Sequence, residues 1–140
     1  MNEAEARGRF GEARVARLAT AAPDGRPHVV PIVFAVAGHD VYSIVDAKPK
    51  RSPRLKRLVN IESNPRASIL VDHYDEDWRQ LWWVRADGPA RVEHDGTERD
   101  RAVELLREKY PQYETWIEPI GAAMILRVDR WRWWSLAEPS

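Results

Sequence analysis

Two turns and two apolar runs alternate in residues 23–45, whose sequence is PDGRPHVVPIVFAVAGHDVYSIV. The first four residues are a strong turn signal, in which Gly25 can supply a positive φ angle. The run 28–37 is rich in β-branched residues, 38–40 is typical of a second turn, and 41–45 is apolar again. Because strands joined by tight turns form an antiparallel meander, this stretch predicts a mainly β fold.

The remaining sequence predicts further strands and three helices. Strands are expected at 13–20, 67–71, 81–92, 122–128 and 130–135, and helices at 2–12, 53–63 and 97–109. In the first strand Val15 and Leu18 are expected to be buried, and Gly88-Pro89 is expected to form a bulge or bend. A parallel doubly wound sheet needs a helix after nearly every strand. The pattern therefore predicts a small antiparallel barrel of six or seven strands in one domain, 1–140.

Composition argues against several classes of function. The chain has 22 basic and 22 acidic residues, so its surface as a whole is not suited to binding nucleic acid. It has no cysteine, which excludes thiolate chemistry and cysteine-bound metals, and its four histidines lack metal-ligand spacing. No metal site and no catalytic residue are predicted. The longest apolar run, 29–37, is too short to cross a bilayer, and the charged start is not a signal peptide, so we expect a cytoplasmic protein.

One basic segment stands out, Lys48 to Arg57 (KPKRSPRLKR), with six positive charges and no acid. Ser52 suits a helix N-cap and Pro53 the first helical position, so backbone N–H groups and the positive end of a helix dipole should lie within the cluster. An Arg fork can hold a phosphate in bidentate fashion, while Lys50 supplies a point charge. The sequence alone leaves two interpretations open: a phosphate site or a solvated surface turn.

The chain contains seven tryptophans, five of them in two strands. Trp82 and Trp83 are neighbours and must face opposite sides of a sheet, whereas Trp131 and Trp133 share a face and Trp134 points away from them. An exposed apolar patch of this size is uncommon on monomers, so we expect self-association to bury one face. The alternative is a flat wall for an aromatic ring system.

Two parts of the sequence resemble a known superfamily. LAT (18–20) with PDGRPHVVPI (23–32) resembles the first hairpin of the pyridoxamine 5′-phosphate oxidase-like (PPOX class) split β-barrel superfamily, and RLVNIESNPRAS (57–68) resembles its helix and fourth strand. DHYDEDW (72–78) with LWWVR (81–85) is similar to an actinobacterial branch, the deazaflavin-dependent oxidoreductases, which use coenzyme F420. The resemblance implies a mainly β (α+β), FMN-binding-like split barrel of six to seven antiparallel strands with two to three peripheral helices.

The resemblance also implies a homodimer with a cofactor in each of two interface clefts. The backbone around Val30, Pro31 and Ile32 would lie against the tricyclic ring, and Trp82 or Trp83 would line the site across the dimer. The residues implied to hold the phosphate are Lys50, Arg51, Ser52, Arg54 and Arg57.

Without a protein nucleophile, a cofactor would carry the chemistry. The first hypothesis is an oxidoreductase that binds coenzyme F420 and transfers hydride to a small conjugated or heterocyclic acceptor, since six charges suit a phosphodiester with an oligoglutamate tail. The second is an FMN-binding oxidase or flavin reductase of the same fold. The third is a non-catalytic protein that binds or sequesters an anionic cofactor or tetrapyrrole.

Overall fold

The computed structural model describes residues 1–46, 56–116 and 120–137. These ranges contain eight strands, three α-helices and two short 3-10 helices. In chain order they are α1 (Glu3–Glu12), β1 (Ala16–Ala21), β2 (Pro27–Ile32), β3 (Ala35–Ala37), β4 (Asp40–Asp46), α2 (Lys56–Ser63), β5 (Arg66–His73), a 3-10 helix (Trp78–Gln80), β6 (Trp82–Glu93), α3 (Thr97–Lys109), a second 3-10 helix (Pro111–Thr115), β7 (Ile120–Arg127) and β8 (Arg130–Ser135).

All strand pairs are antiparallel, in the order β2-β1-β5-β6-β7-β4-β3, with β8 also paired to β6. The long strand β6 belongs to two sheets. Its residues 82–89 pair with β5 and 82–87 with β8, whereas 90–93 pair with β7. This arrangement confirms the predicted mainly β, split-barrel fold with peripheral helices.

The described chain has eight strands where six or seven were predicted, because the run 28–37 is divided in two. At the break, Ser43 Oγ donates to the Val33 carbonyl at 2.9 Å. The Phe34 N–H donates to the Tyr110 hydroxyl at 3.2 Å, and that hydroxyl lies 3.0 Å from the Phe34 carbonyl oxygen. The side chains of Ser43 and Tyr110 thus form hydrogen bonds with backbone groups of Val33 and Phe34. In a continuous strand, those groups would bond to a neighbouring strand.

One local prediction was wrong and another was wrong in part. Val15 is 44% exposed, because β1 begins at Ala16 and its alternation points Ala16 and Leu18 inward. The β5–β6 register runs without a shift through Gly88, so the bulge does not form, whereas a bend is consistent with the change of strand partner after Pro89. Gly88 is needed for another reason: a Cβ atom at this position would collide with the Arg127 carbonyl, where the chain between β7 and β8 crosses β6.

The helix α1 covers the inner face of the sheet formed by β2, β1, β5, β6 and β8. Asn2 caps it by accepting a hydrogen bond from the Glu5 N–H at 2.9 Å. The Phe10 ring is fully buried and lies 5.1 Å from the ring centroids of both Phe34 and Trp131. These aromatic contacts fix the helix over the barrel core.

The helix α3 spans the predicted residues 97–109 and buries Ala102, Val103 and Leu106. Leu105 is partly buried against the same cluster. In the described part of the chain, no helix combines the length and apolar character that crossing a membrane would require.

Candidate functional site

The strand β2 lies at one edge of the sheet, and in the described part of the chain it pairs only with β1. Ile32 is buried and Val30 packs against the core, whereas Val29 is 61% exposed and Pro31 also faces solvent. The sequence-predicted ring site at Val30, Pro31 and Ile32 therefore lies on an edge strand, with its side chains alternating between the core and solvent.

Two prolines determine which backbone groups of β2 are free. Pro27 and Pro31 have no N–H, so they occupy non-hydrogen-bonded pairs opposite Ala21 and Arg17. Bonded and non-bonded pairs alternate along an antiparallel ladder, so Val29 is also in a non-bonded pair, and its N–H and carbonyl point away from β1. The outer edge of β2 thus offers one donor, the Val29 N–H, between carbonyl acceptors.

The helix α2 is fixed to β1 by one buried hydrogen bond. Asn60 is fully buried, and its Nδ2 donates to Thr20 Oγ1 at 3.1 Å. Thr20 is paired with His28 of β2. The atoms Asn60 Oδ1 and His28 Nδ1 are buried and have no hydrogen-bond partner among the described residues. Because buried polar atoms are normally bonded, this junction between α2 and β2 has unused hydrogen-bonding capacity.

The helical period of the sequence predicts Leu55, Leu58, Val59 and Glu62 near one face of α2, with Ile61 adjoining it. Leu58 and Ile61 are buried, but Val59 is only partly buried and Glu62 is exposed, and Leu55 lies outside the described residues. The third buried residue of the described helix is Asn60. Asn60 was missed because an amide is normally placed on a helix surface, and only its partner Thr20 explains its burial.

The predicted phosphate-binding residues are only partly within the described chain. Arg57 lies in the first turn of the described α2 and is half-buried. It precedes Asn60 by three residues, so both lie near the same side of the helix. Lys50, Arg51, Ser52 and Arg54, together with the predicted helix start at Pro53, lie outside the described residues. Their role in binding a phosphate stays a prediction.

The sheet face that points away from α1 is called the outer face below. It carries Val29, Pro31, Arg17, Ala19, Ser68, Leu70, Trp83, Arg85, Asp87, Arg130, Arg132 and Trp134. Trp83 stands between Asp72 of β5 and Trp134 of β8. It is three strands from β2, roughly 14 Å at the usual strand spacing, so within one copy it lies outside the β2 site.

Trp82 points to the opposite side. Its ring lies 5.4 Å from the Arg9 guanidinium and stacks on His73 at 5.8 Å. It therefore packs beneath α1, and of the two adjacent tryptophans only Trp83 is on a face that a second copy could share. The predicted arrangement of Trp131 and Trp133 on one face and Trp134 on the other is confirmed.

The outer face holds a paired acid. Arg85 donates to both oxygens of Asp87, at 2.8 and 3.0 Å, and Ser68 Oγ donates to Asp87 Oδ1 at 2.7 Å. Burial opposes ionisation of Asp87, but these hydrogen bonds outweigh it and lower the pKa of its carboxyl. The carboxylate therefore stays ionised at neutral pH, and both of its oxygens have a hydrogen-bond partner.

Comparison with known proteins identifies the family. Residues 3–134 match the family model described as pyridoxamine 5′-phosphate oxidase. The chain therefore belongs to this family, and the split barrel built on β6 is consistent with that assignment. No curated protein sequence matches the chain significantly.

Solved structures show the same fold at low identity. A conserved hypothetical protein from Mycobacterium tuberculosis is 24% identical with a TM-score of 0.77, over 100% of this chain and 90% of that one. A FAD-binding protein from Mesorhizobium loti is 22% identical with a TM-score of 0.73, over 95% and 94% of the two chains. A heme binding protein from Mycobacterium smegmatis is 22% identical with a TM-score of 0.73, but the match covers 93% of this chain and only 52% of that one.

Val29 is a candidate site residue that was not predicted from the sequence. The available signal was the spacing of Pro27 and Pro31, four residues apart, which fixes the hydrogen-bonding parity of the strand between them. The structure thus brings β2 and α2 together at Thr20, and it separates both from Trp83. In the described ranges, no three acidic or histidine side chains converge on a metal site.

Proposed function

We propose that this protein binds coenzyme F420 along the free edge of β2 and acts, as a homodimer, as an oxidoreductase on a small conjugated or heterocyclic acceptor. The observation that carries the proposal is the outer edge of β2, where the N–H and the carbonyl of Val29 both point away from β1 and are not paired with another strand of the described chain. The pyrimidine edge of a flavin or deazaflavin has a carbonyl next to an N–H. The Val29 N–H can donate to that carbonyl while the Val29 carbonyl accepts from the ring N–H, which gives two hydrogen bonds of opposite direction. An edge strand can bind such a ring through its backbone alone.

The choice of F420 over FMN rests on charge. The segment Lys48 to Arg57 has six positive charges and no acid, and it leads into α2. F420 carries a phosphodiester and several carboxylates, whereas FMN carries one phosphate. The unbonded buried atoms of Asn60 and His28 add polar capacity between α2 and β2. FMN, bound in an oxidase or flavin reductase, is the alternative.

When bound, the deazaflavin supplies the hydride chemistry, in which the acceptor gains two electrons with the hydride and one proton from water. The contribution of this chain is to bind and orient the cofactor. The backbone at Val29 and Pro31 would orient the ring, and Arg54 and Arg57 would hold the anionic end. Fixing the reacting partners in this way is the main protein contribution in such reactions.

The outer face supports the homodimer part of this proposal. Trp134 is 42% exposed there, beside the half-buried Trp83. Because Trp83 lies three strands from β2 in its own chain, it can join a cofactor site only from a second copy. A dimer formed through the outer face would cover both tryptophans.

A second candidate is a non-catalytic protein that binds a tetrapyrrole. Its support is the structural similarity to the heme binding protein from Mycobacterium smegmatis. The similarity to a FAD-binding protein favours a flavin-type ligand to the same degree. Ligand binding must therefore be compared directly.

Equilibrium titration of the purified protein with F420, FMN and hemin tests the assignment. We expect F420 to bind at least about tenfold more tightly than FMN or hemin. Tight binding of FMN with weak binding of F420 would overturn the F420 assignment and leave the flavin alternative. Tight hemin binding, with no oxidation of reduced cofactor by any acceptor in a panel, would favour the second candidate.

The double substitution Arg54→Ala with Arg57→Ala tests the anionic end. We expect F420 binding to weaken by at least about tenfold while the protein stays folded, because a bidentate anion contact is lost. Arg91→Ala with Arg107→Ala removes the same charge from β6 and α3 and is the matched control. Equal weakening in the two double variants would show a general charge effect and contradict the placement of the site.

Val29→Pro tests the ring end. It removes the one free N–H of the β2 edge but no bond to β1, so the fold should persist. We expect F420 affinity to fall by about tenfold, while Val29→Ala, which keeps the N–H, should bind normally. Val30→Pro instead breaks the ladder to Leu18 and should lower the free energy of unfolding by roughly 1–3 kcal/mol. Normal F420 binding by Val29→Pro would rule out this backbone contact.

A further inference from the structure

A second concave site lies beyond the end of β2, between the β2–β3 connection and the 3-10 helix that follows α3. The cavity has a volume of about 280 Å³. Its walls are Val33, Tyr110, Gln112, Tyr113 and Trp116. Three of these five residues are aromatic, and they are called the aromatic ladder below.

The spacing of the aromatic ladder follows from the local helix type. Residues 110–116 read YPQYETW, with an aromatic ring at every third position. The segment Pro111–Thr115 is a 3-10 helix, which has three residues per turn, so side chains three apart line up on one side. The Tyr110 and Tyr113 ring centroids are 6.4 Å apart, and those of Tyr113 and Trp116 are 5.7 Å apart, with steep interplanar angles.

Hydrogen bonds hold the wall at the base of the cavity. The Tyr110 hydroxyl contacts the backbone of Phe34 and lies 3.1 Å from the Arg14 carbonyl oxygen. The Val33 carbonyl accepts from Ser43 Oγ. At the mouth, Trp116 is 41% exposed. The site therefore combines a fixed base with an accessible indole, as expected of a preformed pocket for a small ligand.

We propose that this cavity binds the flat aromatic or heteroaromatic ring of the acceptor. Rings that meet edge to face offer both faces and edges to a further ring, and Gln112 can donate to or accept from one polar substituent. The volume is at the small end of ligand pockets, so it suits one or two fused rings. Val33 directly follows Ile32, so the cavity adjoins the segment assigned to the cofactor ring.

The role of the bound ring as acceptor rests on the proposed function, but ring binding itself does not. Ligand-observed NMR titration of the cofactor-free protein can therefore test the cavity alone. The probes are 2-naphthol and its saturated analogue decahydro-2-naphthol, which have the same carbon skeleton and one hydroxyl. We expect 2-naphthol to bind at least about tenfold more tightly, because only its flat ring can stack against the ladder.

The substitutions Tyr113→Leu and Trp116→Leu should each reduce 2-naphthol affinity by at least about fivefold while circular dichroism stays unchanged. Trp78→Leu is the matched control, since Trp78 is 61% exposed on the other 3-10 helix, and it should bind normally. Equal affinity for the two probes, or unchanged affinity in both ladder variants, would overturn the proposal. Normal naphthol binding in a protein that binds no F420 would instead overturn the proposed function and leave the aromatic site standing.

Discussion

The two faces of the β2-β1-β5-β6-β8 sheet carry tryptophans from the same two strands but are covered differently. On the inner face, Trp82, Trp131 and Trp133 pack beneath α1. Trp133 Nε1 donates to the Met1 carbonyl at 3.0 Å, so the start of the chain closes that face. On the outer face, Trp83 and Trp134 have no such cover from the described part of the chain.

This difference shows which tryptophans the chain covers itself and which the described residues leave accessible to the proposed second copy. Neighbouring residues on a strand point to opposite faces, so adjacent tryptophans place an indole on each face of the sheet. The inner face meets the fully buried Phe10 of α1. On the outer face, the acid Asp87 is paired with Arg85 and Ser68.

The largest expected effect comes from breaking the inner face. Phe10→Ala removes a fully buried ring that contacts Phe34 and Trp131. We expect the free energy of unfolding, measured by urea denaturation, to fall by about 3–5 kcal/mol. Val15→Ala changes an exposed apolar residue shortly after the same helix and should shift it by less than about 0.5 kcal/mol. Similar losses in the two variants would show that α1 is not specifically packed.

The next effect concerns the outer face. Trp134→Glu places a charge where the second copy is proposed to lie, so we expect self-association to weaken at least about tenfold in sedimentation velocity. The free energy of unfolding of the monomer should change little, because Trp134 is substantially exposed. Trp116→Glu, near α3, should leave self-association intact. Dissociation by Trp116→Glu but not by Trp134→Glu would place the interface elsewhere.

Local signals in the sequence predicted much of the fold. The bounds of α3, the turn at Gly25 with φ 87°, and the opposite faces of Trp133 and Trp134 all follow from residue periods or turn chemistry. Val15 was placed wrongly because the strand begins at Ala16, later than predicted, whereas the role of Gly88 depends on a distant partner. The chain crossing that requires Gly88 involves Arg127, which no local pattern reveals.

The candidate site was predictable to a smaller extent. The position of the β2 edge segment could be predicted from its sequence, but which of its backbone groups are free depended on pairing with β1. The burial of Asn60 depended on Thr20, forty residues away in the chain. The aromatic ladder at Tyr110, Tyr113 and Trp116 was not predicted, although its spacing of three was visible, because a 3-10 helix has no reliable sequence signal of its own.

Two charged side chains, Asp87 on the outer face and Lys109 at the end of α3, differ in how well they are paired. Asp87 of the outer face is fully paired, whereas the Lys109 Nζ atom, at the end of α3, is buried without a hydrogen-bond partner among the described residues. It lies 3.8 Å from the Phe34 ring centroid. Burial lowers the pKa of Lys109 to about 8, and the nearby Arg14 guanidinium adds to the effect. Burial of the charged ammonium therefore lowers the free energy of unfolding, and the cation–π contact with Phe34 offsets this loss only in part.

The smallest expected effect is the contribution of buried Lys109 to the pH dependence of the free energy of unfolding. Below pH 8 Lys109 is charged in both the folded and the unfolded state, so the cost of burying its charge lowers the free energy of unfolding in full. Between pH 8 and its ordinary pKa of 10.5 the unfolded chain binds more protons than the folded one. The free energy of unfolding should therefore rise with pH in this range. Burial raises the pKa of Tyr110, which opposes this trend above about pH 10, so pH 8 to 10 is the informative window.

Lys109→Met should raise the free energy of unfolding by about 1 kcal/mol at pH 7, a modest gain because the half-exposed side chain lets water screen the charge. Urea denaturation at several pH values should also show a smaller rise between pH 8 and 10 in this variant than in the wild type. Lys56→Met removes an exposed lysine and should leave that rise unchanged. If the free energy of unfolding rose by the same amount between pH 8 and 10 in Lys109→Met, Lys109 would not be the group responsible. Its ammonium would then be solvated in the folded protein.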